Sequence, residues 1–209
     1  MVFEVLFILA AYLLGSVPFG YLFTKYATGQ NILQLGSMSI GSTNVERVAG
    51  KKIALLTQVC DMLKGLLPVG SAILLQREGL VTIQPYFIYL IAFAAILGHN
   101  FSLFLKLKGG KGVNTTLGAS ILLAPIQVLV SVALFYLVKR LTKYVSVGSI
   151  CLGISLPLTS LFFPLSYCFY YLLAAALLII IMHIPNIRRL VQGNENASSN
   201  LKKKNVENR

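Results

Sequence analysis

Residues 106–116 read KLKGGKGVNTT, three lysines and three glycines in a chain of 209 residues of which only 11% are charged. Groups of this kind bind anions. Gly109, Gly110 and Gly112 carry no Cβ, so their amides can approach an oxyanion closely, and Lys111 adds a point charge. A helix starting near Asn114 or Thr115 would point its positive end at the same place. The spacing is not that of the nucleotide loop G-x-x-x-x-G-K-[ST], because Gly112 follows Lys111. Phosphate suits these residues best. The plain alternative is a tight glycine turn between apolar segments.

Three further groups carry polar residues that need a reason. GSMSIGSTNVERVAGKK, residues 36–52, offers hydroxyls, glycine amides and the guanidinium of Arg47 to a phosphate. Its alternative is a flexible loop whose basic residues only set topology. In MHIPNIRRL, residues 182–190, His183 and Asn186 are three apart and share a face if the helix is continuous. A lone histidine at a helix end also serves as a structural residue. Asp61 and Lys64 are likewise three apart, inside an apolar segment, where charge points either to function or to a pair that fixes helix packing. No nucleophile–His–acid arrangement, H-E-x-x-H, acidic metal cluster or nucleotide loop is present. If chemistry occurs, the substrate must therefore arrive activated, with the protein supplying anion binding and position.

A membrane positions these groups. Hydrophobic residues make up 56% of the chain and mean hydropathy is +0.79, too apolar for a water-soluble fold of this length. The net charge of +12 does not indicate nucleic acid, because no aromatic–basic interleaving accompanies it. Cys60, Cys151 and Cys168 are scattered in apolar segments and read as packing residues. Apolar blocks run over about 3–24, 53–76, 85–105, 113–138 and 144–183, the last divided near Pro164. The first lacks a basic start and a cleavage site, and reads as a retained span.

Charge parity splits the block 113–138 into two short passes of about 18 Å each, turning near Pro125. That arrangement puts all but two of the 18 Lys and Arg on the cytoplasmic side, Arg77 lying outside and Lys64 within a span. The resulting expectation is an all-α integral membrane protein. It has about seven transmembrane helices, some short, with the N-terminus outside and the C-terminus cytoplasmic. Residues 1–193 form one domain, and 194–209, rich in Asn, Ser and Lys, form a disordered basic tail.

Taken in order, these motifs resemble the PlsY family of bacterial membrane glycerol-3-phosphate acyltransferases, which use acyl phosphate as donor. The resemblance runs through AYLLGSVPFGYL (11–22), the 36–52 loop, DMLKG (61–65), GHNFSLFLKLKGGKGVNTTLG (98–118), KYVSVGSI (143–150) and HIPNIRRLVQG (183–193). It implies seven membrane-embedded helices in the bacterial inner membrane, with the site facing the cytoplasm. The implied reaction is acyl transfer from acyl phosphate to the 1-hydroxyl of glycerol 3-phosphate, giving lysophosphatidic acid and phosphate. By position it assigns catalytic roles to Ser37, Arg47, Lys111, His183 and Asn186. Asn44, Gly109, Gly110, Gly112 and Ser146 are assigned to phosphate binding, and the resemblance implies no metal or separable cofactor.

The chain departs from the family pattern at several positions. Met38 stands for glycine, Ser39 for asparagine, Ser42 for alanine, Ser102 for proline and Asn114 for alanine. In the closing motif, usually His-Arg-Glu-Asn, Ile184 and Pro185 hold the middle. Pro185 is expected to end the last span near His183 and to open a new helix. Two other readings fit the same residues. One is a weakened paralogue that binds phosphorylated lipid precursors; the other is a small anion transporter lined by Asp61 and Lys64. The odd pass count and lack of an inverted repeat speak against the transporter.

Overall fold

The structure, a computed structural model, describes residues 2–164 and 166–197. Its helices are α1 (Val2–Ser16), α2 (Phe19–Thr28), α3 (Ser42–Arg77), α4 (Pro85–Asn100), α5 (Val113–Ser120), α6 (Pro125–Thr142), α7 (Val145–Ser160), α8 (Tyr167–Met182) and α9 (Ile184–Val191). There is no strand among the described residues. Prolines punctuate the helices: Pro85, Pro125 and Pro185 each lie in a first turn, where the missing N–H costs nothing. Pro18 separates α1 from α2.

α3 hides a break that hydropathy alone does not show. Gly50 sits at φ 84°, ψ 174°, outside helical space, so residues 42–49 form a short helix of their own before the long apolar run from 51 to 77. That run reaches about 40 Å at 1.5 Å per residue, enough for a tilted crossing.

The expected division of 113–138 into equal halves is not what forms. The turn falls at 121–124 as Pro125 predicts, but α5 has 8 residues and α6 has 18, continuing to Thr142. α5 therefore covers about 12 Å and α6 about 27 Å. Burial explains the inequality. Every residue of α5 from Thr115 to Ser120 is buried, much of it against α3, where Gly65 and Gly118 let the two backbones meet. A short helix wrapped in protein can end within the membrane, whereas α6 shows most of its surface to the surroundings and must span them.

The centre is built from Ala92 and Ile96 of α4, Leu152 and Leu156 of α7, and Leu172 and Ala175 of α8. Outside it, large apolar side chains are bare, Leu129 and Leu141 by 71% and 72% and Phe162 by 89%. Such a surface belongs in lipid. Among the described residues four helical stretches are long and apolar enough to cross a membrane, and α8 with α9, bent by 51°, make a fifth. Of the tail expected from 194 onward, Asn194 to Ala197 are described, and Asn194 N–H turns back to the carbonyl of Arg189 at 2.8 Å. Residues 198–209 lie outside the described residues.

Candidate active site

The ends of five helices meet at one level: the short helix opening α3, the end of α4, the start of α5, the start of α7 and the α8–α9 junction. Between them lies a cavity of about 610 Å³, within the usual range for a ligand site. Ser37, Asn44, Arg47, Lys111, Gly112, Ser146, His183 and Asn186 all line it. Gly109 and Gly110 instead line a smaller neighbouring space of about 150 Å³, with Lys111 and Asn186 shared between the two. Residues far apart in sequence thus converge as the motifs require.

Lys111 is the centre of a polar chain. Its Nζ donates to Asn186 Oδ1 at 2.6 Å, Asn186 Nδ2 donates to Glu195 Oε1 at 2.6 Å, and Arg189 Nε donates to Glu195 Oε2 at 2.7 Å. Burial pushes the Lys111 ammonium down to about 8; Glu195 opposes that shift, and the cations Arg189 and Arg47 add to it. Burial on its own raises the Glu195 carboxyl. The hydrogen bonds from Asn186 and Arg189, with the Arg189 charge, outweigh it and hold the carboxyl below its ordinary value. The site is a cluster of cations, with Glu195 hydrogen-bonded among them and Glu46 acting on Arg47.

The α8–α9 junction behaves as Pro185 predicts. α8 stops at Met182, His183 bridges the bend, and α9 restarts with Pro185 in its first turn. His183 Nδ1 faces the carbonyl of Ile179 at 2.8 Å, and a carbonyl only accepts, so neutral His183 carries its proton on Nδ1. Nε2 keeps a free lone pair.

Two assignments change in kind. Asn44 was expected to touch phosphate, but its side chain is consumed in shaping the loop. Oδ1 accepts from the Ser37 amide at 2.9 Å, and Nδ2 donates to the carbonyls of Leu35 and Ser39 at 3.0 and 2.9 Å. The amides of Gly109 and Gly110, offered above to an anion, donate to the carbonyls of Asn100 and His99 at 3.1 and 3.0 Å. Their lack of Cβ serves that close approach to the end of α4: a Cβ on Gly110 would run into the His99 ring. The amides left for an anion lie further on. Thr116 N–H is the first to reach back, to Gly112 at 2.7 Å, so Val113, Asn114 and Thr115 precede it as the open start of α5.

Arg189 and Glu195 were missed by sequence. Arg189 follows Asn186 by three, a helical spacing that could have found it; Glu195 sat in a polar tail with no such signal. Asp61 and Lys64 form a pair at 2.9 Å, each about 99% buried, with His99 Nδ1 3.6 Å from Asp61 and the Phe19 ring 5.1 Å from Lys64. Asp61 and His99 also line the main cavity.

The cavity is not polar throughout. Leu117, Val132, Phe135 and Leu152 also line it, and Leu55 and Tyr136 line it while remaining 63% and 60% exposed, marking an opening between α3 and α6.

The family model described as glycerol-3-phosphate acyltransferase matches residues 5–193. The chain belongs to that family. A glycerol-3-phosphate acyltransferase of Clostridium acetobutylicum is 41% identical over 198 residues, covering 93% of this chain and 100% of the relative. One of Endomicrobium trichonymphae is 40% identical, covering 98% and 100%. Among solved structures, two crystal forms of PlsY (YgiH), an integral membrane glycerol 3-phosphate acyltransferase, share the fold. The glycerol 3-phosphate form gives a TM-score of 0.84 at 32% identity, over 93% of this chain and 94% of that one. The lysophosphatidic acid form gives 0.81 at 30%, over 95% and 97%. With the family comes the class: a multi-pass membrane acyltransferase.

The departures from the family pattern now have partners. Asn114 Nδ2 donates to Ser42 Oγ at 3.3 Å, so two polar residues standing for alanines meet across 72 positions. Ser102 Oγ donates to the Ser16 carbonyl at 2.5 Å. Met38 has no such compensation. It holds φ 55°, in the left-handed region that glycine tolerates, with its side chain 65% exposed. Met38→Gly should stabilise the protein by about 0.5–1 kcal/mol, raising the detergent melting temperature by roughly 1–3 °C with little change in activity. A lower melting temperature would show that Met38 contributes packing that outweighs its backbone cost.

Proposed function

We propose that the chain transfers an acyl group from an acyl phosphate to the 1-hydroxyl of glycerol 3-phosphate, giving lysophosphatidic acid and inorganic phosphate. The observation that carries this is the composition of one cavity, whose lining combines Arg47, Lys111 and Arg189 with Leu117, Val132, Phe135 and Leu152. A lipid chain with a phosphorylated head fits both sets. In this reading the hydroxyl oxygen bonds to the acyl carbon, the acyl carbon–oxygen bond to phosphate breaks, and the departing phosphate is met by Lys111 and Arg47. The hydroxyl proton has two acceptors, Nε2 of His183 and the departing phosphate. An acyl phosphate is already activated, which accounts for the lack of a covalent nucleophile.

Purified protein in detergent tests this directly. Phosphate release from acyl phosphate should require glycerol 3-phosphate and match lysophosphatidic acid formed, mole for mole. Transfer from acyl coenzyme A at an equal rate, or phosphate release indifferent to glycerol 3-phosphate, would reject the donor or the acceptor respectively.

The same reading places the site at the cytoplasmic face of the bacterial inner membrane. Support comes from Lys139 and Arg140, which close α6 in its last turn, where they also suit the helix dipole. In intact cells a cysteine at Thr142 should resist a membrane-impermeant thiol reagent and react only after permeabilisation. Ready labelling from outside would reverse the orientation.

A further inference from the structure

Beneath the glycine loop, and not used by the chemistry above, lies the cluster of Asp61, Lys64 and His99. Lys64 Nζ is 2.9 Å from Asp61 Oδ1 and 3.5 Å from His99 Nδ1, and His99 is 4% exposed. The other side of the same histidine faces the loop: its carbonyl accepts from Gly110 N–H, and its ring fills the space where a Gly110 Cβ would stand. One residue on, Asn100 takes the Gly109 amide, and its Oδ1 would lie 2.5 Å from a Cβ on Gly112.

We propose that His99 is a positioning residue for Lys111: the buried Asp61–Lys64 pair fixes the His99 ring, and the ring fixes the loop that carries Lys111. The inference rests on Lys111 as a phosphate contact, as proposed above. A pair needed only to join helices has no reason to sit against the loop, and apolar residues of similar size serve that purpose as well or better. Here the ion pair reaches the loop through a single imidazole. Two rigid contacts, ring and carbonyl, leave residues 109–112 little choice of path, and a shift of about 1 Å in a binding group costs heavily.

The experiment is a double-mutant cycle on the full-length protein, reading KM and kcat for glycerol 3-phosphate, with binding of the same ligand followed by calorimetry. His99→Ala and Gly110→Ala should each raise KM about tenfold with kcat within about twofold, and the double variant should be no worse than the poorer single one, because removing the ring makes room for the methyl group. His99→Asn, which keeps a hydrogen-bonding group near the place of Nδ1, should recover part of the loss. Asp61→Asn alone strands Lys64, so the paired variant Asp61→Asn/Lys64→Met is the informative one. It should fold and show a raised KM. Equal losses from Gly110→Ala in both backgrounds overturn the proposal, as does a folded paired variant with parental KM. Should the paired variant not fold, the cycle decides. A parent that binds glycerol 3-phosphate without turning it over refutes the function, while the coupling is still read in the dissociation constants.

Discussion

Replacing Lys111 by alanine lowers kcat/KM for glycerol 3-phosphate by about ten- to a hundredfold, the loss of roughly 1.5–3 kcal/mol expected for one charge-assisted contact. The side chain leaves the Asn186 oxygen and the centre of the cationic cluster, so the loss falls on anion binding and not on the helices. The melting temperature in detergent should stay near that of the parent. Lys111→Arg should not restore the rate, since a planar fork does not fit a site built around a point charge. A Lys111→Ala protein with parental kcat/KM would remove this residue from the mechanism.

The same lysine sets a pH limit. With its value lowered to about 8, Lys111 is charged below that pH and neutral above it, so anion binding falls as pH rises through about 8. Substrate phosphate becomes a dianion only above about pH 6, giving kcat/KM a bell shape between the two. Lys111→Ala should flatten the alkaline limb and leave the acid limb. An alkaline limb unchanged in that variant would assign it to another group.

Glu195→Ala is expected to lower kcat/KM by about tenfold, within the range for losing hydrogen bonds to a charged group. Glu195 touches Asn186 and Arg189 and acts on the lysine through Asn186 and through its charge, so its removal frees two side chains without deleting a phosphate contact. Glu195→Gln keeps one acceptor oxygen for Asn186 and should lose less. The carboxyl is held below its ordinary value, so its contribution is present at neutral pH and disappears only as pH falls through that lowered value. Full activity in Glu195→Ala would show that the segment after α9 does not organise the site.

The all-helical, apolar character and several of the breaks were legible because lipid demands long apolar runs and proline interrupts them: Pro125, Pro164 and Pro185 each mark a real boundary. The bend at Gly50 was not, because its neighbours remain helical on both sides. Nor was the unequal split of α5 and α6, which depends on what covers each helix. Motif order found the lining residues, since Lys111, His183 and Asn186 combine chemistry with spacing. It could not tell Asn44, a brace for residues 35–39, from a ligand contact, or foresee that the Gly109 and Gly110 amides answer to α4. Those distinctions lie in hydrogen-bond partners supplied from elsewhere in the fold.

The opening flanked by Leu55 and Tyr136 changes what concentration means for this enzyme. An acyl donor that enters there is dissolved in the bilayer or micelle, and meets the site by two-dimensional diffusion, while glycerol 3-phosphate arrives from water. The rate should therefore follow the donor's mole fraction in the amphiphile, so that adding detergent at constant donor and protein slows turnover by surface dilution. On the same reading the product, carrying the same chain, is expected to leave sideways into the phase that supplied the donor.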